Sequence, residues 1–336
     1  MTLQTRIDRL RSGTAKTGCL LNPMGGQVRK RKPAIRQALD DIPGMLVCEA
    51  NDAITFKSAV DQLLQADIDL LVIVAGDGTT HAIFGHLFAA RAPAEWPLIT
   101  IIPGGTTNMT PLDLGVRGKP EQIIRRLHTY LRRPSAPTLV QRPVLRIEQA
   151  GMNPIYGMFF AVGLVARGVK FSRSPVKQIG ITGGIFTALI MLRSLVGLLA
   201  NMILGRQQSE WAPVNMTLTE ASGRIHQGTY LFALVSALDC LLLNIRPYWG
   251  TEPAPLHVTL VDQQHKRLWR SVWPILSGGG AALQEKDGYY SHNTGSLSVH
   301  MDDEYIVDGE LYRSVNPQTP ITITATDPVT FLVLLL

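Results

Sequence analysis

Cysteine is scarce in this sequence: Cys19, Cys48 and Cys240 are the three in 336 positions. They are too few and too far apart to staple a small secreted fold, and they read as reduced core thiols of a cytoplasmic protein. Charge is also low, 17% against 46% hydrophobic residues. That balance excludes a disordered polyelectrolyte and points to large buried sheets or contact with lipid. Residues 1–8 carry no apolar leader, so secretion is not expected. No G-x-x-x-x-G-K-[ST] occurs, and no glycine-rich turn after an apolar run satisfies G-x-G-x-x-G. Neither a P-loop NTPase nor a Rossmann dehydrogenase is supported. The histidines lack zinc spacing: His81 and His86 are five apart, and His257, His265, His292 and His300 are scattered. Zinc-finger, RNA-recognition and aromatic-basic patterns are missing too, so no nucleic acid partner is expected despite the net charge of +6. The basic clusters Arg29-Lys30-Arg31-Lys32, Arg125-Arg126 and Arg132-Arg133 suit an anionic membrane surface or the phosphates of a nucleotide, with a scattered solvated face as the plain alternative.

Two glycine-punctuated turns, each closing an apolar run, are the most informative features present. Leu70-Leu-Val-Ile-Val-Ala75 runs into Gly76-Asp77-Gly78-Thr79, and Leu98-Ile-Thr-Ile-Ile102 runs into Pro103-Gly104-Gly105-Thr106-Thr107-Asn108. Unbroken apolar runs of this length are strands buried on both faces of a parallel sheet. Glycine turns at successive strand ends can form one phosphate-binding rim, since ligands of open α/β sheets sit at the carboxyl ends of strands. Plain βα turns are the bland reading of the same spacing.

Strands over 18–21, 45–48, 70–75 and 98–102 alternate with helices over 32–40, 79–90 and 121–131, with Pro33 in the first turn of its helix and Asp52 as an N-cap. This order predicts a doubly wound parallel sheet. Arg132-Arg133-Pro134-Ser135-Ala136-Pro137 then breaks the pattern. Short alternating strands follow over 144–148, 215–219, 257–261, 321–326 and 330–335, a β-rich, sandwich-like pattern. The expected domains are therefore an α/β domain over 1–133 and a β-rich domain over 138–336. Residues 179–204 form an apolar segment with Arg193 near its middle and glycines at 180, 183, 184 and 197. A buried or interdomain helix, membrane-surface helices and a span all remain open for it.

Two further elements complete a set: Asn22-Pro23-Met24-Gly25-Gly26 ahead of the two turns and Val307-Asp308-Gly309-Glu310 near the C-terminus. The four motifs in this order resemble the catalytic domain of the diacylglycerol and sphingoid-base lipid kinases. The resemblance implies an ATP-binding α/β domain of the NAD kinase/diacylglycerol kinase type, a β-rich lipid domain and a cleft between them. It implies ATP and Mg²⁺ as cofactors, a lipid substrate and a place at the inner face of the membrane; a homodimer is compatible with it.

A kinase must hold phosphates, neutralise developing charge and place a base near the acceptor hydroxyl. The backbone of Gly25, Gly26, Gly76, Gly78, Gly104 and Gly105 is the candidate phosphate cradle, with hydroxyls from Thr79, Thr106 and Thr107. Asn22 and Asn108 complete it. Asp77 suits either Mg²⁺ through water or fixing its turn through backbone N–H groups. Asp308-Gly309 is also a strong hairpin signal, and the resemblance implies that Asp308 or Glu310 takes the proton from the lipid hydroxyl. Asparagine at 308 keeps the size of Asp308 and tolerates φ > 0, so Asp308→Asn is expected to leave stability nearly unchanged. The chain departs from the family with Thr80-His81 after the first turn, Met109-Thr110 after the second, Ala50-Asn51 after the second strand, and Tyr248-Trp249-Gly250 where bacterial relatives carry a structural Mg²⁺ site. A sphingoid-base or ceramide-type kinase and a non-catalytic nucleotide-sensing module are the rival readings.

Overall fold

The computed structural model describes residues 1–172, 212–280 and 283–334. The apolar segment 179–204 lies outside the described residues. Among those residues, no helix is long and apolar enough to cross a membrane. The chain divides into two units, Met1–Arg142 with Asp327–Leu336, and Pro143–Thr326.

In the first unit, helix α1 (Leu3–Ser12) precedes β1 (Thr17–Leu21), α2 (Gly26–Asp40), β2 (Leu46–Glu49), α3 (Ala53–Gln65), β3 (Leu70–Ala75) and α4 (Asp77–Ala90). Strand β4 (Leu98–Pro103), α5 (Met109–Asp113), α6 (Pro120–Arg132) and β5 (Thr138–Arg142) follow. Strands β2, β1, β3 and β4 pair in parallel in that order. Every residue of β1 and β3 is buried, which is why β3 reads as an unbroken apolar run. Asp52 caps α3, its Oδ1 accepting from the Ile54 and Thr55 amides at 3.0 and 2.9 Å. Helix α2 is longer than the sequence suggests. It begins at Gly26 and carries Pro33 in its interior, where the ring removes one i→i−4 hydrogen bond.

The C-terminal strand β17 (Val329–Val333) belongs to this sheet and not to the β-rich unit. It lies parallel to β4 and antiparallel to β5. Phe331, Leu332 and Val333 are buried there, and Thr100 Oγ1 donates to Leu332 O at 2.9 Å. The division therefore falls after Arg142, and the chain returns to its first sheet at its end. The expected single break near 133–138 does not allow for that return.

The second unit is an antiparallel ladder. It begins with β6 (Leu145–Glu148), β7 (Ile155–Gly157), β8 (Phe159–Gly163) and α7 (Leu164–Ser172), and continues with β9 (Val214–Glu220), β10 (Ile225–Ser236) and β11 (Leu256–Asp262). Helix α8 (Leu268–Ser277), β12 (Tyr289–Thr294), β13 (Ser296–Met301), β14 (Glu304–Val307), β15 (Glu310–Arg313) and β16 (Ile321–Ala325) complete it. The strands form one continuous eleven-stranded sheet among the described residues. Its core gathers inward-facing alternate residues such as Leu145, Ile147, Phe160, Val162 and Tyr305. The three cysteines are free and buried, and burial raises the Cys19 thiol well above its ordinary range.

Candidate active site

Three loops at the carboxyl ends of β1, β3 and β4 lock onto one another. Asn22 Oδ1 accepts from the Met24 amide at 2.9 Å, while its Nδ2 donates to Thr79 Oγ1 at 2.7 Å. The first loop is thereby tied to the second. Gly104 donates its amide to Ala75 O at 2.8 Å, and its carbonyl accepts from Gln27 N at 2.9 Å and Val28 N at 3.3 Å. The third loop is thereby tied to both others.

Asp77 fastens the same contact from its side chain. Its Oδ2 accepts from Thr107 Oγ1 at 2.7 Å and Met109 N at 3.1 Å, and its Oδ1 from Thr110 N at 3.3 Å. Of the two roles open to Asp77, fixing a turn is the one its hydrogen bonds fill, although the turn it fixes is the next loop and not its own. Asn108 sits at φ +52° and closes its loop on Gly105, accepting from its amide at 2.7 Å and donating to its carbonyl at 3.0 Å.

The glycines explain how the loops come so close. A Cβ at Gly105 would lie 2.5 Å from Gly76 Cα, and one at Gly104 would lie 2.8 Å from the Ala75 amide. Backbone meets backbone here, so only glycine fits. Sequence reading assigns these glycines to ligand approach; the structure shows that several of them first serve approach of the loops to each other.

The result is a rigid rim from which α2 and α4 start, with Gly25 and Gly76 as N-caps and no side-chain cap on either helix. Gly78 and Thr79 lie in the first turn of α4, and Thr106 Oγ1 would be 3.0 Å from a Cβ on Gly26. The start of α4, with glycine as its N-cap, suits an anion, whereas the Gln27 and Val28 amides of α2 are already taken by Gly104 O. Next to the rim is a cavity of about 350 Å³, lined by Gln27, Arg31, Thr107, Asn108, Arg117 and Lys119. Arg31 is anchored in it by Glu121 at 2.8 Å.

In the second unit, Asp308 and Gly309 form the two-residue turn between β14 and β15, with φ of +48° and +86°. Positive φ at both positions is the twist-matched hairpin turn. Asp308 is buried, and its carboxylate accepts from the Met158 amide (3.1 and 3.0 Å to Oδ1 and Oδ2) and from the Phe159 amide (3.0 Å to Oδ1). Its own amide donates to Phe159 O at 2.9 Å. Glu310 is the first residue of β15 and only half-buried. Asp303 and Glu304 are engaged elsewhere, with Arg167 and Lys170, each at 2.6 Å. Sequence spacing misses one more group in this unit: Glu220, His226 and His292 are buried together but come from three different strands.

Residues 16–136 match the family model described as the diacylglycerol kinase catalytic domain. The match takes in all three loops of the rim, while Asp308-Gly309-Glu310 lies outside it. Among solved structures, the chain is similar to a diacylglycerol kinase of Bacillus anthracis str. Sterne, with a TM-score of 0.59, 13% identity, and coverage of 95% of this chain and 97% of that one. It is also similar to a candidate diacylglycerol kinase of the same organism, with a TM-score of 0.61, 16% identity and 95% of each chain covered. At such identities the likeness is one of fold, and it extends over both units. No curated protein matches the chain.

Proposed function

We propose that this chain is an ATP- and Mg²⁺-dependent lipid kinase that transfers the γ-phosphate to the hydroxyl of diacylglycerol or a closely related lipid. The observation that carries the reading is the interlocked rim. Three loops within the segment that matches the diacylglycerol kinase catalytic-domain model converge on the start of α4, with Gly76 as its N-cap, beside a cavity lined by Arg31, Arg117 and Lys119. Backbone amides at such a rim hold phosphate oxygens, and the cationic side chains offset their charge. Mg²⁺, carried in with the triphosphate, would neutralise charge that develops on the transferring phosphoryl group.

Between the two acids of the hairpin, the proposal assigns the base to Glu310. Both oxygens of Asp308 already accept backbone N–H groups, so its role is to hold the turn against β8. Glu310, half-buried at the start of β15, would take the proton from the lipid hydroxyl.

The enzyme would work in the cytoplasm at the inner face of the membrane. In support, Arg125, Arg126 and Arg133 line a cavity of about 620 Å³ together with the apolar Leu332 and Leu334, a mixture suited to anionic amphiphiles. Co-sedimentation with anionic vesicles should fall as salt screens these charges over about 8–10 Å.

Radiolabelled ATP supplied with diacylglycerol, a sphingoid base or ceramide in mixed micelles tests the reading. Label is expected in phosphatidic acid. Label in the phosphorylated sphingoid base or ceramide instead would move the acceptor, and ATP binding with no labelled lipid would make the chain a nucleotide-binding module.

A further inference from the structure

We propose that Glu220, His226 and His292 form a binding site for one divalent cation of the zinc type. The three side chains are buried, and one donor atom from each lies within 4.8 Å of the other two. Glu220 ends β9, His226 stands across the hairpin turn near the start of β10, and His292 lies in the middle of β12. Glu220 Oε1 and His226 Nε2 are 3.1 Å apart, and the two imidazole rings stack with centroids 5.5 Å apart at 24°. Tetrahedral zinc with bonds of about 2.0–2.2 Å needs its donors roughly 3.3 Å apart. The first pair already has that spacing, and a side-chain adjustment of about an ångström brings in the third donor.

The donor set decides the type of cation. Two imidazoles and one carboxylate suit Zn²⁺, Co²⁺ or Ni²⁺, whereas Mg²⁺ and Ca²⁺ favour oxygen ligands throughout. The site is therefore chemically separate from the Mg²⁺ of a kinase reaction and does not rest on that reading.

The surroundings support binding. Among the described residues, His292 Nε2 is buried with no hydrogen-bond partner, although Glu285 Oε1 lies 3.3 Å away. On the other side of the ring, His292 Nδ1 is 3.2 Å from Glu252 Oε1, and Glu252 is itself fixed by the Asn293 amide at 2.9 Å. A carboxylate behind a histidine is the usual support for a metal-bound imidazole. Arg224 also touches His292 Nδ1, and it has Glu252 at 3.8 Å as an alternative partner. The ion would tie the β9–β10 hairpin to β12. Without it, Glu220 and His226 form a buried hydrogen-bonded pair.

Titration of the full chain, stripped with chelator, against Zn²⁺ and a chromogenic competitor tests the proposal, with Co²⁺ absorption reporting geometry. One Zn²⁺ per chain is expected, with the intense visible bands of tetrahedral Co²⁺ and no competition from Mg²⁺. Glu220→Gln, which preserves shape, and His292→Ala should each weaken Zn²⁺ binding at least about tenfold, while Arg224→Ala should bind at least as tightly as the parent. Absence of stoichiometric Zn²⁺ and Co²⁺ binding by the parent chain would overturn the proposal whether or not the variants fold. So would Zn²⁺ that Glu220→Gln retains with unchanged affinity.

Discussion

The two units offer their chemistry by opposite means. The first presents backbone: the glycine-capped start of α4, held in place because Gly104 and Gly105 let three loops touch main chain to main chain. The second presents side-chain carboxylates on a tight hairpin, one of them pinned by the amides of Met158 and Phe159. A backbone site should tolerate loss of a charge but not an added methyl group. A carboxylate site should respond the other way, losing function when charge is removed at constant shape.

The largest expected effect follows from that contrast. Glu310→Gln removes the proposed base without changing volume, and general-base catalysis supplies about 10²–10⁴-fold. Turnover should fall by at least about a hundredfold, with little change in KM for ATP, because the interaction acts in the transition state. A raised KM for ATP would erase the distinction between the units.

Gly105→Ala comes next. The new Cβ has the backbone Gly76 Cα 2.5 Å away and Asn108 Oδ1 at 3.2 Å. Calorimetry should show ATP affinity at least tenfold weaker, and urea denaturation a loss of about 1–3 kcal/mol.

Asp308→Asn should also cost about 1–3 kcal/mol by urea denaturation, because its amide group would turn an N–H toward the Met158 or Phe159 amide. The sequence argument expects little change there, since asparagine has the right size and tolerates the turn. The hydrogen bonds from residues about 150 positions away argue otherwise.

The smallest effect is a pH dependence. Burial lowers the His226 pKa in the folded chain, so below about pH 6.5 the unfolded chain binds a proton that the folded chain does not. Stability should therefore fall as pH drops from 6.5 toward the folded pKa. Saturating Zn²⁺ should shift this dependence, since metal and proton compete for the same nitrogen.

Much of the first unit was legible because its signals are local. Residues 70–75 and 98–102 are largely apolar runs leading into glycine turns, and strands sit there. What could not be read depends on distant partners. Val329–Val333 follows the alternating strand β16 and so looks like its continuation, yet Phe331 pairs with Ile99 in the other sheet. Pro33 suggested a helix start, but α2 begins seven residues earlier at the rim. Asp77 showed an acid in a glycine turn; that it holds Thr107, Met109 and Thr110 is visible only once β3 and β4 lie side by side. Glu220, His226 and His292 carry no spacing because strand pairing, not sequence, brings them together.

Amide hydrogen exchange of the full chain, with and without ATP and Mg²⁺, tests most directly whether the interlocked loops are the nucleotide cradle. The account predicts that protection on adding nucleotide concentrates at the amides of residues 25–28, 76–80 and 104–110, where the helix starts and the third loop meet. Unchanged exchange in all three segments, with new protection confined to residues 212–326, would contradict it.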